Sequence, residues 1–282
     1  MKNIFNNKSF LEQTIPLALT VVIFVVLVLL LYGEILVLNT VTSVDISRQL
    51  RWSDVLIGLT IYLKTSVDFA IFIGNLMHAF PGWKNRIAIE IGTAFGNAIG
   101  TLIILAIWNF FRGINWLLAL MILVASLVLF RLAEDGIEHA RSGSLNVRLG
   151  SLIEFFHKVL HRINMVFNPV LNLLIPNMKI KSASNKGLSF VKLFRFSFLV
   201  PFILGLDDFA GYVPLFNVVN IFGFAVGVFA GHMILNIFLF LSPSRTIRIV
   251  KNSYISIIGS IAFVLLAVWG IYEAYKLFFL HG

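Results

Sequence analysis

The sequence predicts an all-α integral membrane protein of seven transmembrane helices, one N-terminal helix followed by two inverted three-helix repeats. Three observations carry that prediction: 59% of the 282 residues are apolar against 12% charged, seven windows are long enough to cross a bilayer, and one pattern of acids and glycines occurs twice. With a mean hydropathy of +0.94, the chain has more apolar surface than a soluble core can hide.

The seven windows fall at roughly 15–38, 55–80, 86–111, 114–133, 190–208, 214–241 and 254–280, each on the order of 20 residues or more. The first, IPLALTVVIFVVLVLLLYGEILVL, is too long for the apolar region of a signal peptide and no small-residue cleavage pattern follows it, so it reads as a retained anchor.

Basic residues set the expected orientation. If the spans alternate, seventeen Lys and Arg share one side: Lys2, Lys8, Lys84, Arg86, ten from Arg131 to Arg195, then Arg245, Arg248 and Lys251. The other side holds four, Arg48, Arg51, Arg112 and Lys276. This asymmetry predicts a cytoplasmic N-terminus and an outer C-terminus in a cell inner or plasma membrane. The net charge of +9 is then explained by topology and by anionic lipid headgroups on the cytoplasmic side, not by nucleic acid. The chain has no cysteine, which excludes disulfides, thiolate metal sites and cysteine catalysis.

The repeat is read from two matching patterns. Gly92, Gly96 and Gly100 step by four residues, as do Gly223, Gly227 and Gly231, at a constant offset of 131. Asp-Phe-Ala stands at 68–70 and again at 208–210, an offset of 140. Each copy is an acidic span, a glycine-stripe span and a closing span. Three spans are an odd number, so the second copy runs with opposite polarity, an arrangement found in many secondary transporters with a midplane site between the halves. The expected organisation is therefore 1–54, anchor helix and outer loop; 55–133, first repeat; 134–189, linker; 190–282, second repeat. The stripes themselves read first as close helix packing. Within the linker, SLIEFFHKVLHRINMVFNPV separates an apolar face from Glu154, His157, Lys158, His161 and Arg162, predicting an amphipathic helix in the cytoplasmic interface. Glu154, His157 and His161 have a spacing that metal ligands on one helix face can have; a solvated polar face is the simpler account.

Carboxylates in the hydrocarbon need a partner, because each costs about 2.5–3.5 kcal/mol at a helix centre on insertion scales. Asp68, Asp207 and Asp208 are the three such acids. Lys64, one turn before Asp68, is a direct partner for it; the adjacent pair at 207–208 has no evident counter-charge and points to a bound cation or to protonation. Glu90, Thr93, Asn97 and Thr101 recur beside the first stripe, and His232 and Asn236 beside the second. Oxygen donors suit hard divalent ions and an imidazole suits a transition metal; for Asn97 and His232, hydrogen bonding between helices is an equal alternative to ligation. Pro201, Gly205, Gly211 and Pro214 around the second acids, and Gly74 after the first, predict broken helices at matching places.

TSVDFAIFIGN with KNRIAIEIGTAFGNAIG, and LDDFAGYVPLFN with NIFGFAVGVFAGH, resemble the two three-helix repeats of the lysine exporter (LysE) superfamily. The resemblance covers about residues 55–280, including SPSRTIRIVKNSYISIIGSIAFVLLAVWGIYEA as the closing helix, and is nearest to the metal-handling branches, the CadD-like cadmium-resistance and TerC-type proteins. It implies export of a divalent metal ion through a central site, Asp68 with Ser66 from one repeat and Asp207 with Asp208 from the other. The sequence departs from the pattern at Phe69, where many members carry a second polar residue.

The expected function is thus a secondary transporter exporting a divalent cation of the Mn or Cd kind, in exchange for protons, with the three aspartates as metal ligands and Ser66, Asn97, His232 and Glu90 as further ion-binding residues. Two alternatives remain: an amino-acid or small-solute exporter of the same fold, and a non-transporting membrane scaffold subunit. The chain shows no nucleophile elbow, phosphate loop or paired-histidine motif within a span, so no enzyme is expected. Nor is a resident cofactor expected; the expected partners are the bilayer, the transported metal ion and protons, with a homodimer as an option.

Overall fold

The computed structural model describes residues 8–42, 45–80, 82–141, 147–174, 189–250 and 252–279; within these, the side chains of 8–13, 68, 139, 147–149, 151–152, 168, 170–174, 203–211, 217 and 250 lie outside the description. The helices are α1 (Lys8–Val41), α2 (Trp52–Thr65), α3 (Val67–Ala79), α4 (Trp83–Phe111), α5 (Asn115–Arg141), α6 (Val147–Leu174), α7 (Phe190–Gly211), α8 (Ile221–Leu241), α9 (Pro243–Val250) and α10 (Ser253–Phe279), with a 3₁₀ turn at Val213–Asn217. There is no strand among the described residues.

The protein is an all-α, multi-pass membrane protein. Among the described residues, five helices are long and apolar enough to span a bilayer, and α2 with α3 make a sixth if the pair counts as one broken span. The outward faces of these helices are apolar: Val21 and Leu29 on α1 and Ile258 and Leu265 on α10 are each more than 60% exposed, which is stable only against lipid. Trp52, Trp116 and Tyr272 are exposed at the end of the bundle where α2 and α5 begin and α10 finishes, the level at which amphipathic aromatic rings settle.

Local chemistry sets the boundaries. Gly82, at φ 106°, makes the reversal from α3 into α4. Asn220 caps α8 by accepting from the Gly223 backbone N–H at 3.0 Å, while its amide donates to the Ser47 carbonyl at 3.3 Å and ties down the segment between α1 and α2. The 3₁₀ turn starts with Pro214 at its N-terminal end, so α8 begins at 221, seven residues later than the expected window. The fourth window runs eight residues further than expected, to Arg141.

Three pairings between the halves of the chain dominate the packing: α4 with α7, α2 with α8, and α5 with α10. Both glycine stripes lie in such contacts. A Cβ at Gly92 would stand 2.8 Å from the Phe194 carbonyl oxygen, and one at Gly96 would run into the Phe198 carbonyl, both on α7. On α8, Gly223 faces Arg51, which precedes α2, and Gly227 and Gly231 face Val55 and Tyr62 of α2, while Gly58 of α2 faces the Phe224 carbonyl in return. Small residues here bring backbone against backbone.

Helix α6 lies on α5. Ile153 and Leu160 are buried against it, while Phe155 and Val166 of the apolar side remain exposed. Its polar residues are used in docking: Glu134 of α5 accepts from Asn164 Nδ2 at 2.5 Å and holds His161 Nδ1 at 2.7 Å. Glu154 pairs with Arg141 at 3.2 Å. Glu154 is thus taken up by Arg141 and His161 by Glu134, while the His157 ring stacks on that of His161 at 5.8 Å. Glu134→Ala should release α6, since hydrogen bonds to charged groups are worth about 1.5–3 kcal/mol each; hydrogen exchange of 150–167 should quicken while the bundle's protection stays unchanged.

Candidate ion-binding site

The first acidic span is broken. α2 ends at Thr65, and α3 leaves at 65° to it. Ser66 links them, with φ −80° and ψ 29° and no side-chain cap; it is 1% exposed, and its hydroxyl has no hydrogen-bond partner among the described residues. Asp68 is therefore the second residue of a new helix, next to the unsatisfied amides that a helix start presents. The second acidic span breaks after its acids: α7 runs through Pro201 and Gly205 to Gly211 and then gives way to the 3₁₀ turn. Gly74 lies inside α3 and packs against Ile247 of α9. The expectation of breaks at equivalent positions is thus corrected. One break precedes its Asp-Phe-Ala triplet and the other follows it.

The two breaks nevertheless meet. The Thr65 hydroxyl, on the last residue of α2, is hydrogen-bonded to the hydroxyl of Tyr212, the first residue beyond α7. Tyr212 is fully buried. Asp68 lies three residues after Thr65 and Asp208 four before Tyr212, so the backbones of both triplets approach one junction. The side chains of Asp68, Asp207 and Asp208 lie outside the described residues. Lys64 sends its ammonium group to the Ile255 carbonyl on α10.

Phe69 and Ala70 of the first triplet are buried. The Phe69 ring lies 4.9 Å from that of His232 on α8, and Tyr62 completes the cluster at 5.8 Å from His232. His232 is 1% exposed and spends both ring nitrogens within the protein: Nδ1 is 2.8 Å from the Tyr62 hydroxyl and Nε2 is 3.1 Å from Asn236 Nδ2. A neutral ring donates through one of these nitrogens and accepts through the other, according to its tautomer.

Glu90 is more deeply buried than its position one turn into the predicted span suggested: it is 0% exposed, about 10 Å into α4 by helical rise. Thr20 of α1 and Asn236 of α8 face its carboxyl group. Neither stands in hydrogen-bonding geometry with it, and both carboxyl oxygens and Asn236 Oδ1 lack partners among the described residues. Asn97, 4% exposed, lies two turns further along the same helix. Around the expected His232 and Glu90 the structure gathers Tyr62, Asn236 and Thr20, with the Thr65–Tyr212 pair one turn on from Tyr62 at the break; of these, Thr20, Tyr62, Thr65 and Tyr212 were passed over by sequence reasoning. Hydroxyl-bearing residues within otherwise apolar spans, one turn before Ser66 for Tyr62, were the available signal.

Comparison of the chain with family models, with curated proteins and with solved structures gives no match.

Proposed function

We propose that the protein is a secondary transporter of seven spans, an N-terminal helix and two inverted three-helix units, that exports a divalent cation of the Mn or Cd kind in exchange for protons. The observation that carries this reading is the Thr65–Tyr212 hydrogen bond, which joins two helix breaks, each beside an Asp-Phe-Ala triplet. Breaks at membrane depth are tolerated where the freed backbone lines a cavity, and carboxylates are placed there to handle ions.

The packing supports the inverted arrangement. If α2 with α3, α4 and α5 match α7, α8 and α10, a two-fold axis in the membrane plane exchanges the α2–α8 contact with the α4–α7 contact and maps α5–α10 onto itself. Those are the three dominant pairings. Asp68, Asp207 and Asp208 would hold the metal, with the Ser66 hydroxyl, which has no partner among the described residues, as an oxygen donor. Metal and protons compete for the same negative charge, so the site loads where protons are scarce and empties where they are abundant.

The test is Mn²⁺ and Cd²⁺ flux in proteoliposomes of the full chain under an imposed pH gradient. Flux should rise with the gradient and stop when a protonophore collapses it. Folded protein that moves neither ion, but catalyses amino-acid counterflow, would replace the metal reading with the solute-exporter one.

A further inference from the structure

Between the α2–α3 break, α5 and α10 lies a cavity of about 40 Å³, lined by Lys64, Thr65 and Val67 from either side of Ser66, by Asp135 of α5 and by Ser256 and Ser260 of α10. One water needs about 10–15 Å³ of such space and two to four polar partners. Polar partners are at hand. Ser256 is 2% exposed, and its hydroxyl has no hydrogen-bond partner among the described residues. Ser260, one turn on, donates to the Ser256 carbonyl at 2.9 Å and retains its capacity to accept. A buried hydroxyl left unpaired is costly, and water in the cavity removes that cost.

The cavity lies towards the end of the bundle that carries α6 and α9, the side expected to be cytoplasmic: Asp135 stands six residues before the end of α5 and Ser256 three residues into α10. Its wall includes the break itself, where Thr65 holds Tyr212. Lys64 crosses here from α2 to α10. Its ammonium group donates to the carbonyl of Ile255, an exposed residue. Its stem lies on Gly259, where an added Cβ would run into Lys64 Cε, Cδ and Cγ. Those are the nearest atoms to such a Cβ, so a methyl group at 259 displaces a flexible side chain and leaves the helices in place.

We propose that this cavity is a hydrated vestibule through which a small inorganic cation reaches the α2–α3 break from the α6 and α9 side, and that Lys64, laid across Gly259, straps its mouth. The ammonium group takes a carbonyl that would otherwise face an entering cation, and it repels that cation. Entry therefore requires the strap to leave Ile255. The space is that of about three waters, which suits a partly hydrated metal ion. That the route serves transport rests on the exchanger reading above; the vestibule and its strap do not.

The chain has no cysteine, so a single introduced thiol reports its own surroundings. Full-length Ser256→Cys in lipid vesicles is exposed to Ag⁺, a small thiol-binding cation, from one side at a time, and the remaining thiol is counted with a maleimide after unfolding. Ag⁺ on the α6 and α9 side should consume the thiol, and Ag⁺ on the other side should not. Leu265→Cys, on the lipid-facing side of the same helix and 66% exposed, should stay unreacted, since lipid gives the ion no water. Lys64→Met and Gly259→Ala, added to Ser256→Cys, remove the strap by independent routes. Each should speed the reaction about tenfold or more, within the range over which charge lining a cleft alters ion entry. Lys64→Arg, which can still reach Ile255, should not. Reaction of Ser256→Cys no faster than that of Leu265→Cys overturns the vestibule, and faster reaction from the opposite side overturns the route. An unchanged rate in either Lys64→Met or Gly259→Ala overturns the strap. If the expected pattern holds in a protein that moves neither Mn²⁺ nor Cd²⁺, the exchanger reading fails and the vestibule stands.

Discussion

Gly227→Leu abolishes folding of the bundle. The Cβ of any side chain at 227 would run into the Val55 carbonyl and stand 2.9 Å from Leu59 N. These are backbone atoms of a neighbouring helix, and no rotamer change relieves the clash. α8 must retreat from α2 along its length, which also opens the contacts at Gly223, Gly231 and Gly58. Even Gly227→Ala should lose about 1–3 kcal/mol, the usual range for overpacking. Gly33→Ala is the control, because nothing lies within 4 Å of its added methyl and the substitution should be neutral or stabilise by up to about 1 kcal/mol. Size-exclusion profiles of detergent-solubilised protein after heating read both. Wild-type resistance in Gly227→Leu would mean that the α2–α8 contact does not hold the halves together.

Asp68→Asn and Asp208→Asn, on the transporter reading, each stop divalent-ion flux. Asparagine keeps the shape and one oxygen but removes the anion, and for a hard divalent ion the anion supplies most of the binding. Loss of a partner outside the coordination sphere already costs about 10–100-fold, so loss of a ligand should exceed about 100-fold. The double substitution should be no worse than either single one, as for groups that act as a unit. Asp207→Asn then shows which of the adjacent acids faces the pathway, since neighbouring helical positions point about 100° apart. Wild-type flux in either single variant, with folding intact, would remove that acid from the site.

The sequence was most informative where pattern follows from packing. Glycines at four-residue steps announced the contacts, because only a residue without Cβ lets backbones touch. What they did not announce was the partner: the stripe of α4 seats on α7 and that of α8 on α2, each in the opposite half. A stripe marks a face and says nothing of what covers it. Helix breaks were harder still. Proline and glycine suggested interruptions at 201, 205, 211, 214 and 74; α7 does end at Gly211 ahead of Pro214, but the chain stays helical at 201, 205 and 74 and yields instead at Ser66, a residue with no strong preference of its own. Neighbouring helices decide such bends. Glu90 shows the same limit in the site: its residue type was legible, while its full burial comes from the packing of other helices, with Thr20 of α1 and Asn236 of α8 at its carboxyl group. Thr65 and Tyr212 lie 147 positions apart, beyond the reach of any local signal.

The cross-half pairings also bear on how the protein is made. α4 is inserted with its glycine face bare, and its partner α7 does not exist until about eighty more residues have been synthesised; α2 waits longer, for α8. At about 5–20 residues per second these faces stand open to lipid, to insertion machinery or to a second nascent chain for on the order of 10 s. The first half is a set of surfaces awaiting the second, and its packing closes only when α7 and α8 arrive.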